Sequence, residues 1–334
     1  MTKPAPVDRA IDQVPRVLFI GGYARSGSTV LDILLGKTEG FCSVGELRFI
    51  WRRGFVEDQR CGCGEPFSRC PFWTRVVDVA FGGAAGIAVE DVLRWQDRVD
   101  RWWRAPQLAG FARGSIADDL ERYLQTLKRL YVAIARVSGA RVIVDSSKDA
   151  SHGYLLRAMG DAVDVSVVHL VRDSRAVAYS LCERRKFDPG TGRELGGHSY
   201  LHAVAGWGAT NLLVEGLRAG RAHSYLRVPY ERFAAAPEET VRGIVAFAGG
   251  DGETVALRDG EMELGSEHHT VAGNPMRFER GTVRIRVDEA WRGEMTPRGR
   301  WTIGLLTWPL LLRYRTPTRH PRSTADHHQA LPTD

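Results

Sequence analysis

A glycine-rich turn near the start of the chain carries residue types that hold phosphate-like anions. An apolar stretch, LFIG, leads into the turn, and an apolar helical pattern, STVLDILLG, follows it. Residues 22–29 read G-Y-A-R-S-G-S-T, which fits the Walker pattern G-x-x-x-x-G-K-[ST] at Gly22, Gly27 and Thr29. Ser28 stands where a nucleoside triphosphatase has its lysine. The turn therefore suits an anion but lacks the residue that reaches the end of a triphosphate.

Positive charge and hydroxyl groups remain in this turn. The guanidinium of Arg25 is a planar fork that can pair with two oxygens of one anion. The first N–H groups of the following helix, and its dipole, favour negative charge at the same place. We therefore predict that an anionic ligand binds to Arg25, Ser26, Gly27, Ser28 and Thr29. A plain glycine turn between strand and helix is the alternative.

A second segment, HLVRDSRAVAYSLCERR, has the same strand-to-helix form. It sets Arg172 at the end of the strand and Ser174 at the expected helix N-cap. Ser180 follows Arg172 by eight residues, a little over two helical turns later. Because ligands bind at the carboxyl edge of parallel sheets, Arg172 and Ser180 are predicted to converge on one ligand. A surface arginine and a solvated serine are the alternative.

Glu46, in TEGFCSVGELRFIWRR, is the carboxylate expected across the mouth of the glycine-rich turn. Negative charge beside an anion site is electrostatically unfavourable unless the group has a task. Accepting a proton from a reacting group is such a task. Glu46 is therefore a candidate general base.

The elements that must position these residues alternate between strand and helix. Apolar strands are predicted at 16–22, RVIVD (141–145), VDVSVVHLV (163–171) and HSYLRVPY (223–230), and helical patterns follow them. Continuously apolar strands of this kind form parallel sheets covered on both faces. We predict an α/β fold of the P-loop-like three-layer type, with a central parallel sheet flanked by helices.

An insertion and two polar ends complete the predicted organisation. Residues 16–314 are expected to form one domain, after a flexible segment at 1–15 and before a disordered tail at 315–334. Within it, an insertion at about 45–137 begins in an irregular stretch (41–75) and becomes helical from Val89. The helical part is expected to bury three tryptophans in its core, namely Trp95, Trp102 and Trp103.

Composition excludes several classes of protein. The 334 residues are 43% hydrophobic and 26% charged with a net charge of +6, values typical of a globular protein. Since no basic run is interleaved with aromatic residues, nucleic-acid binding is not expected. No transmembrane segment is predicted, because no stretch reaches about 18 apolar residues. The apolar stretch at 303–312, IGLLTWPLLL, reads as a buried or interfacial helix, and we expect a cytoplasmic protein. No feature predicts an oligomeric state.

Cysteine and histidine show no familiar metal-binding spacing. Cys61, Cys63 and Cys70 form a C-x-C-x6-C cluster, with Cys42 nearby, whereas zinc pairs usually have C-x2-C spacing. We favour a structural loop and keep a zinc site or a disulfide as alternatives. The histidines are expected to be structural or solvated, and they are His152, His198, His202, His268 and His269.

Taken together, these segments resemble the sulfotransferases that use 3′-phosphoadenosine-5′-phosphosulfate (PAPS). GGYARSGSTVLDILLG resembles their 5′-phosphosulfate loop, and VRDSRAVAYS resembles their 3′-phosphate motif with Arg and Ser eight residues apart. SVGELR and DSSKDASHGYLL are similar to segments of the tyrosylprotein branch, the first of which carries the catalytic glutamate there. HTVAGNPMRF resembles the glycine-containing segment that closes over the 3′-phosphate, without the Lys-Gly form of animal enzymes.

The resemblance implies a reaction and roles for single residues. PAPS would be the co-substrate, no metal would be needed, and the acceptor would be a small-molecule, natural-product or carbohydrate hydroxyl. Glu46 would be the general base, with Arg25 and Lys148 stabilising charge on the transferring group. Arg172 and Ser180 would bind the 3′-phosphate, with Arg277 as a further candidate.

Three other functions remain open from the sequence. They are a P-loop kinase with a degenerate loop, a tyrosylprotein sulfotransferase-like enzyme that acts on peptides, and a non-catalytic nucleotide-binding protein. The acceptor is expected to lie between the insertion and a glycine-rich loop at 184–202 that could act as a lid.

Overall fold

The computed structural model describes residues 14–110, 116–183, 186–188, 193–195, 197, 199–219, 221–250, 257, 259–265 and 267–314. The predictions for the two chain ends, for His198 and for much of the 184–202 loop therefore lie outside the described residues.

The described residues form one parallel sheet of five strands and two small antiparallel pairs. The order in the main sheet is β2-β3-β1-β4-β7, and β5 pairs with β6 and β8 with β9. The strands are β1 (Arg16–Gly21), β2 (Phe41–Gly45), β3 (Val142–Lys148), β4 (Asp164–Val171), β5 (Lys186–Asp188), β6 (Arg193–Leu195), β7 (Tyr225–Pro229), β8 (Glu261–Leu264) and β9 (Gly281–Arg284).

Twelve α-helices are seen in the described part of the chain. They are α1 (Ser28–Gly36), α2 (Pro71–Phe81), α3 (Val89–Val99), α4 (Ala105–Leu108), α5 (Ala117–Ser138), α6 (Ala150–Ala158), α7 (Ser174–Cys182), α8 (Tyr200–Gly216), α9 (Tyr230–Ala235), α10 (Pro237–Phe247), α11 (Ala290–Glu294) and α12 (Pro297–Tyr314).

Alternate residues of β1 face two separate cores, which makes the fold a three-layer structure. Val17 and Phe19 pack into a core with residues of α2, α3, α5 and α6. Leu18 and Ile20 pack on the opposite face with residues of α1 and α10. Both faces of the central strand are thus buried, as its continuously apolar sequence requires. The predicted α/β fold with a covered parallel sheet is confirmed.

Three local predictions are wrong. The stretch 41–75 was expected to be irregular, but its first residues form the edge strand β2 and its last ones begin α2. Trp102 and Trp103 were expected in the core, but 62% and 57% of their surfaces are exposed. The cap of α7 is Asp173, whose carboxylate accepts from the N–H of Arg175, and Ser174 is the first helical residue.

The C-terminal helix α12 packs only one of its sides against the domain. Ile303, Thr307 and Tyr314 are buried, whereas Trp301 and Leu305 on the other side are mostly exposed. Among the described residues, no helix is both long enough and apolar enough to cross a bilayer.

Candidate active site

The predicted anion site is a strained turn held against the sheet. Gly22 and Gly27 have φ angles of +151° and +85°. A side chain at Gly22 would lie 2.3 Å from the carbonyl oxygen of Leu170, so the backbone can pass there only without a Cβ. The first intrahelical bond of α1 runs from the N–H of Leu31 to Gly27. The preceding N–H groups at the helix start therefore face the turn without an intrahelical acceptor.

Two cationic residues stand beside this turn in left-handed backbone conformations. The φ angles of Arg25 and Lys148 are +66° and +67°. A left-handed residue other than glycine costs about 1–2 kcal/mol, and such strain is concentrated at functional sites. The carbonyl oxygen of Lys148 accepts from the N–H of Gly22 at 3.2 Å, so the end of β3 is fixed to the start of the turn.

Glu46 and Lys148 form an ion pair between the ends of β2 and β3. Lys148 Nζ donates to Glu46 Oε1, and the glutamate is 7% exposed. The backbone N–H of Glu46 donates to the carbonyl oxygen of Val271 at 2.9 Å. A carboxylate, an ammonium group and the anion-binding turn thus follow three neighbouring strands at one edge of the sheet.

Arg48 fixes the backbone around this ion pair. Its Nε lies 2.7 Å from a carboxylate oxygen of Asp100, and its Nη1 lies 2.6 Å from Asp149. Burial alone would lower the pKa of the guanidinium, but the two carboxylates outweigh burial and raise it. The residue after Lys148 is thereby joined to the insertion. Arg48 was missed in the sequence, although SVGELR contains it.

A buried carboxylate supports the turn that carries Lys148. Asp145 accepts from the Ser147 N–H at 2.8 Å and from Tyr131 Oη at 2.5 Å, and His152 Nε2 lies 3.0 Å away. Burial raises the pKa of Asp145, but His152, Ser147 and Tyr131 outweigh burial and lower it. The carboxylate is 0% exposed and already surrounded by partners. His152 is a structural residue, as expected.

Arg172 reaches the anion-binding turn from the end of β4. Its Nη1 donates to the carbonyl oxygen of Arg25 at 2.9 Å, and its Nη2 lies 3.1 Å from Asp288 Oδ2. The guanidinium stacks over the Tyr230 ring, 4.5 Å from its centre. A side chain added at Gly27 would lie 2.9 Å from the same ring. The contacts with Tyr230 and Asp288 had no signal in the sequence.

The other predicted site residues follow different strands of the sheet. Ser26 and Ser28 are buried in the turn, and Thr29 is half-buried. Ser180 is buried on α7, in the helix that directly follows Arg172. Arg277 is also buried, but its Nη1 donates to the carbonyl oxygen of Thr270, next to β2. This contact of Arg277 is on the β2 side of the sheet, whereas Arg172 is at the end of β4, with β3 and β1 between those two strands.

Comparison with known families shows which family the chain belongs to. A model described as the sulfotransferase family matches residues 15–253, well over half of the chain. The chain belongs to this family. The match includes Arg25, Glu46, Lys148 and Arg172 and ends before Arg277. This sulfotransferase has no significant match among proteins of curated function.

Several solved structures are similar to this sulfotransferase. The sulfotransferase domain from the curacin biosynthetic pathway is 16% identical, covers 91% of this chain and 99% of that one, and has a TM-score of 0.48. The sulfotransferase domain of the Synechococcus PCC 7002 olefin synthase is 18% identical over 92% and 98%, with a TM-score of 0.47. A sulfotransferase from Alicyclobacillus acidocaldarius is 16% identical over 90% and 94%, with a TM-score of 0.44.

Asp32 gives a prediction for the pH dependence of stability. This carboxyl on α1 is buried and accepts from Ser43 Oγ at 2.6 Å. Burial, with repulsion from Asp145 and Glu46, raises its pKa to about 8. Because the folded state keeps the proton that the unfolded state loses above about pH 4, the free energy of unfolding should fall as pH rises from about 4 to about 8.

The variant Asp32→Asn should not show this contribution. The free energy of unfolding of variant and wild type is measured by urea denaturation at several pH values. The variant's value minus the wild-type value should rise by up to about 1.4 kcal/mol for each pH unit between about pH 4 and about pH 8. Asp78→Asn, an exposed substitution on α2, is the control and should run parallel to the wild type. Parallel curves for Asp32→Asn would contradict a raised pKa.

Proposed function

We propose that this sulfotransferase moves the sulfuryl group of PAPS to a hydroxyl group of a small-molecule, natural-product or carbohydrate acceptor. The observation that carries the proposal is the pairing of Glu46 with Lys148 beside an anion-binding turn that has no lysine of its own. Lys148 supplies from β3 the ammonium group that a lysine in the turn would otherwise provide. Glu46 supplies a base at the same edge.

The donor site follows from the anion-binding groups. The backbone at Gly27–Thr29 and the guanidinium of Arg25 would bind the 5′-phosphosulfate, and Arg172 and Ser180 the 3′-phosphate. When bound, the donor supplies an activated sulfuryl group attached to a phosphate leaving group. The carboxylate of Asp288 is an anion already in contact with Arg172, which supports a phosphate at that place. A 3′-phosphate would replace Asp288 on the guanidinium.

The residues of this chain divide the transfer step between them. Glu46 takes the proton of the acceptor hydroxyl, whose oxygen bonds to sulfur as the bond between sulfur and the phosphate oxygen breaks. Lys148 and Arg25 stabilise the negative charge left on that phosphate oxygen. Since the leaving group is already a good one, positioning and proton removal are the main tasks of the enzyme. Arg277, through its bond to Thr270, supports the segment behind Glu46, and phosphate binding by Arg277 stays a prediction.

The environment of Asp145 argues against a degenerate kinase. In a P-loop triphosphatase an acidic residue at a strand end helps to hold Mg²⁺. Asp145, in the stretch VIVD, comes closest to that position in the sequence. Its oxygens already accept from Ser147 and Tyr131 in a fully buried network, so protein donors occupy the carboxylate that would have to hold a nucleotide-bound Mg²⁺.

A pair of exposed tryptophans supports an acceptor with a flat face. Trp102 and Trp103 follow Asp100, which Arg48 binds next to Glu46. Their short helical turn packs against α6, the helix that begins two residues after Lys148. Exposed indole rings suit the face of a sugar or an aromatic ring.

Parallel calorimetric titrations test the donor class. Adenosine 3′,5′-bisphosphate should bind at least about tenfold more tightly than ATP with Mg²⁺, because Arg172 recognises the 3′-phosphate. Tighter binding of ATP would contradict PAPS as the donor and favour a kinase with a degenerate P-loop. A transfer assay with labelled PAPS and a panel of hydroxyl acceptors, peptide tyrosine included, then separates the enzyme from a non-catalytic binding protein.

A further inference from the structure

Four side chains from two distant parts of the chain meet in one small cluster outside the active site. Cys61, Cys63 and Cys70 come from the loop that precedes α2, and His269 comes from the segment after β8. Their sulfur atoms and one imidazole nitrogen all lie within 4.8 Å of one another. A structural or solvated role was predicted for His269, because the histidines show no ligand spacing in the sequence. It stands 199 residues from Cys70.

The distances match the edges of a tetrahedron around a metal ion. Cys70 Sγ lies 3.6 Å from Cys61 Sγ and 3.7 Å from Cys63 Sγ. His269 Nδ1 lies 3.3 Å from Cys70 Sγ and 3.8 Å from Cys61 Sγ. Zinc with Zn–S bonds of about 2.3 Å in tetrahedral geometry sets its sulfur atoms about 3.8 Å apart. A disulfide would need about 2.05 Å, so the sulfurs are spaced as ligands rather than as a bonded pair.

The local backbone presents the three thiols to one point. A tight turn, closed by the Gly64 N–H donating to the Cys61 carbonyl oxygen at 2.8 Å, brings Cys63 next to Cys61. Gly64 has a φ of +98°, which only glycine adopts readily. Cys70 is the cap of α2, so its sulfur lies at the positive end of a helix. That position favours a thiolate, the form that binds metal.

The histidine is held from outside the cluster. The indole Nε1 of Trp73 donates to the carbonyl oxygen of His269 at 2.8 Å. The ring of Phe72 stacks on the imidazole with their centres 4.8 Å apart and an angle of 8° between the planes. Both aromatic residues lie within three positions after Cys70 in the chain. A ligand orientation fixed by neighbouring side chains in this way is typical of metal sites.

We propose that Cys61, Cys63, Cys70 and His269 bind a structural zinc ion through three thiolates and the Nδ1 of the imidazole. Three sulfur ligands and one nitrogen in tetrahedral arrangement select zinc over magnesium, calcium or manganese. Four protein ligands leave no open position for substrate, so the ion has a structural role. Three thiolates outweigh the ion's two positive charges. Arg280, whose Nη2 donates to the carbonyl oxygen of Gly62, lies close enough to offset the remaining negative charge.

The zinc site would also position Glu46. The N–H of Gly62, between two of the ligands, donates to the carbonyl oxygen of Thr270 at 3.1 Å. The next residue, Val271, donates to Val44 and accepts from the N–H of Glu46, both at 2.9 Å. The ion therefore links the loop before α2 to the segment 269–271, whose backbone bonds to Glu46. An effect of the ion on turnover through the position of Glu46 rests on the proposed function, whereas metal binding itself does not.

Metal content of the full chain is the test. The protein is purified under reducing conditions without added metal and analysed by mass spectrometry for zinc and iron. We expect about one zinc per chain. Cys61→Ser with Cys70→Ser should lower zinc below about a tenth of an equivalent, and Cys42→Ser, a thiol outside the cluster, should leave it unchanged. His269→Ala should weaken binding, whereas His268→Ala should not.

A spectroscopic measurement on the wild type covers the case in which the variants fail to fold. Zinc removed with a chelator should lower the melting temperature, and added Co²⁺ should restore it and give the visible bands of a tetrahedral thiolate site. Less than about a tenth of an equivalent of metal in the reduced wild type, or a disulfide between these cysteines, would overturn the proposal. Iron in place of zinc would also overturn it. Binding of adenosine 3′,5′-bisphosphate to the same preparations shows separately whether the donor site is correct.

Discussion

Glu46→Gln should lower the turnover of this sulfotransferase by about 10²- to 10⁴-fold, the usual contribution of a general base. The amide has nearly the shape of the carboxylate and can still accept from Lys148, so the geometry of the pair should survive. The substitution removes the proton acceptor and the negative charge but keeps the hydrogen bond, so kcat should fall far more than the affinity for adenosine 3′,5′-bisphosphate, which should stay within about threefold. Steady-state kinetics and calorimetry of the same preparation measure both.

Glu267→Gln is the matched control for this substitution. It makes the same chemical change in an exposed side chain whose described ion pair is with Lys37, and it should leave kcat unchanged. A Glu46→Gln enzyme with wild-type turnover would remove Glu46 from the mechanism. A parallel fall in nucleotide affinity would instead indicate that Glu46 acts by holding Lys148 in place.

Arg172→Ala should weaken binding of adenosine 3′,5′-bisphosphate by about 10- to 100-fold. Loss of a charge-assisted hydrogen bond costs about 1.5–3 kcal/mol, and each 1.4 kcal/mol is a factor of ten in affinity. If Arg172 recognises the 3′-phosphate, the affinity for AMP, which has none, should change little. Titration of both nucleotides against wild type and variant separates recognition of the 3′-phosphate from a purely structural role of the guanidinium.

The second role of Arg172 is its bond to the anion-binding turn at Arg25. If the guanidinium served only to brace this turn, AMP and the bisphosphate would lose affinity by the same factor. Arg242→Ala removes a positive charge from an exposed position on α10 and should leave both affinities unchanged. Unchanged affinity for the bisphosphate in Arg172→Ala would contradict the assignment of the 3′-phosphate site.

The short-range parts of the fold were readable because neighbouring residues determine them. Helix α1 has the bounds predicted for it, Ser28–Gly36, since an apolar periodic stretch starts directly after a glycine that can adopt a positive φ. The strands β1, β3, β4 and β7 lie within two or three residues of their predicted limits, because buried parallel strands are continuously apolar. The edge strand β2 was missed. Its sequence, FCSVG, is short and partly polar, and its pairing depends on β3, about one hundred residues away.

Local sequence could nominate site residues one at a time, but their partners come from long-range contacts. Glu46 and Lys148 are 102 residues apart. They meet because β2 and β3 are neighbouring parallel strands, whose carboxyl ends lie at the same edge of the sheet. The same holds for the ring of Tyr230 beneath Arg172. Spacing along the chain contains no information about which strands are adjacent.

The cysteine cluster shows the same division between sequence and tertiary structure. The sequence determined three thiols in one loop, but their C-x-C-x6-C spacing lacked the second pair that a zinc site usually has. Folding brings His269 to them, because Thr270 and Val271 bond to the loop and to the end of β2. Likewise, only packing decided that Trp73 is buried and that Trp102 and Trp103 face solvent. Residue type and local period determine which element forms, and long-range packing of those elements determines which side chains meet.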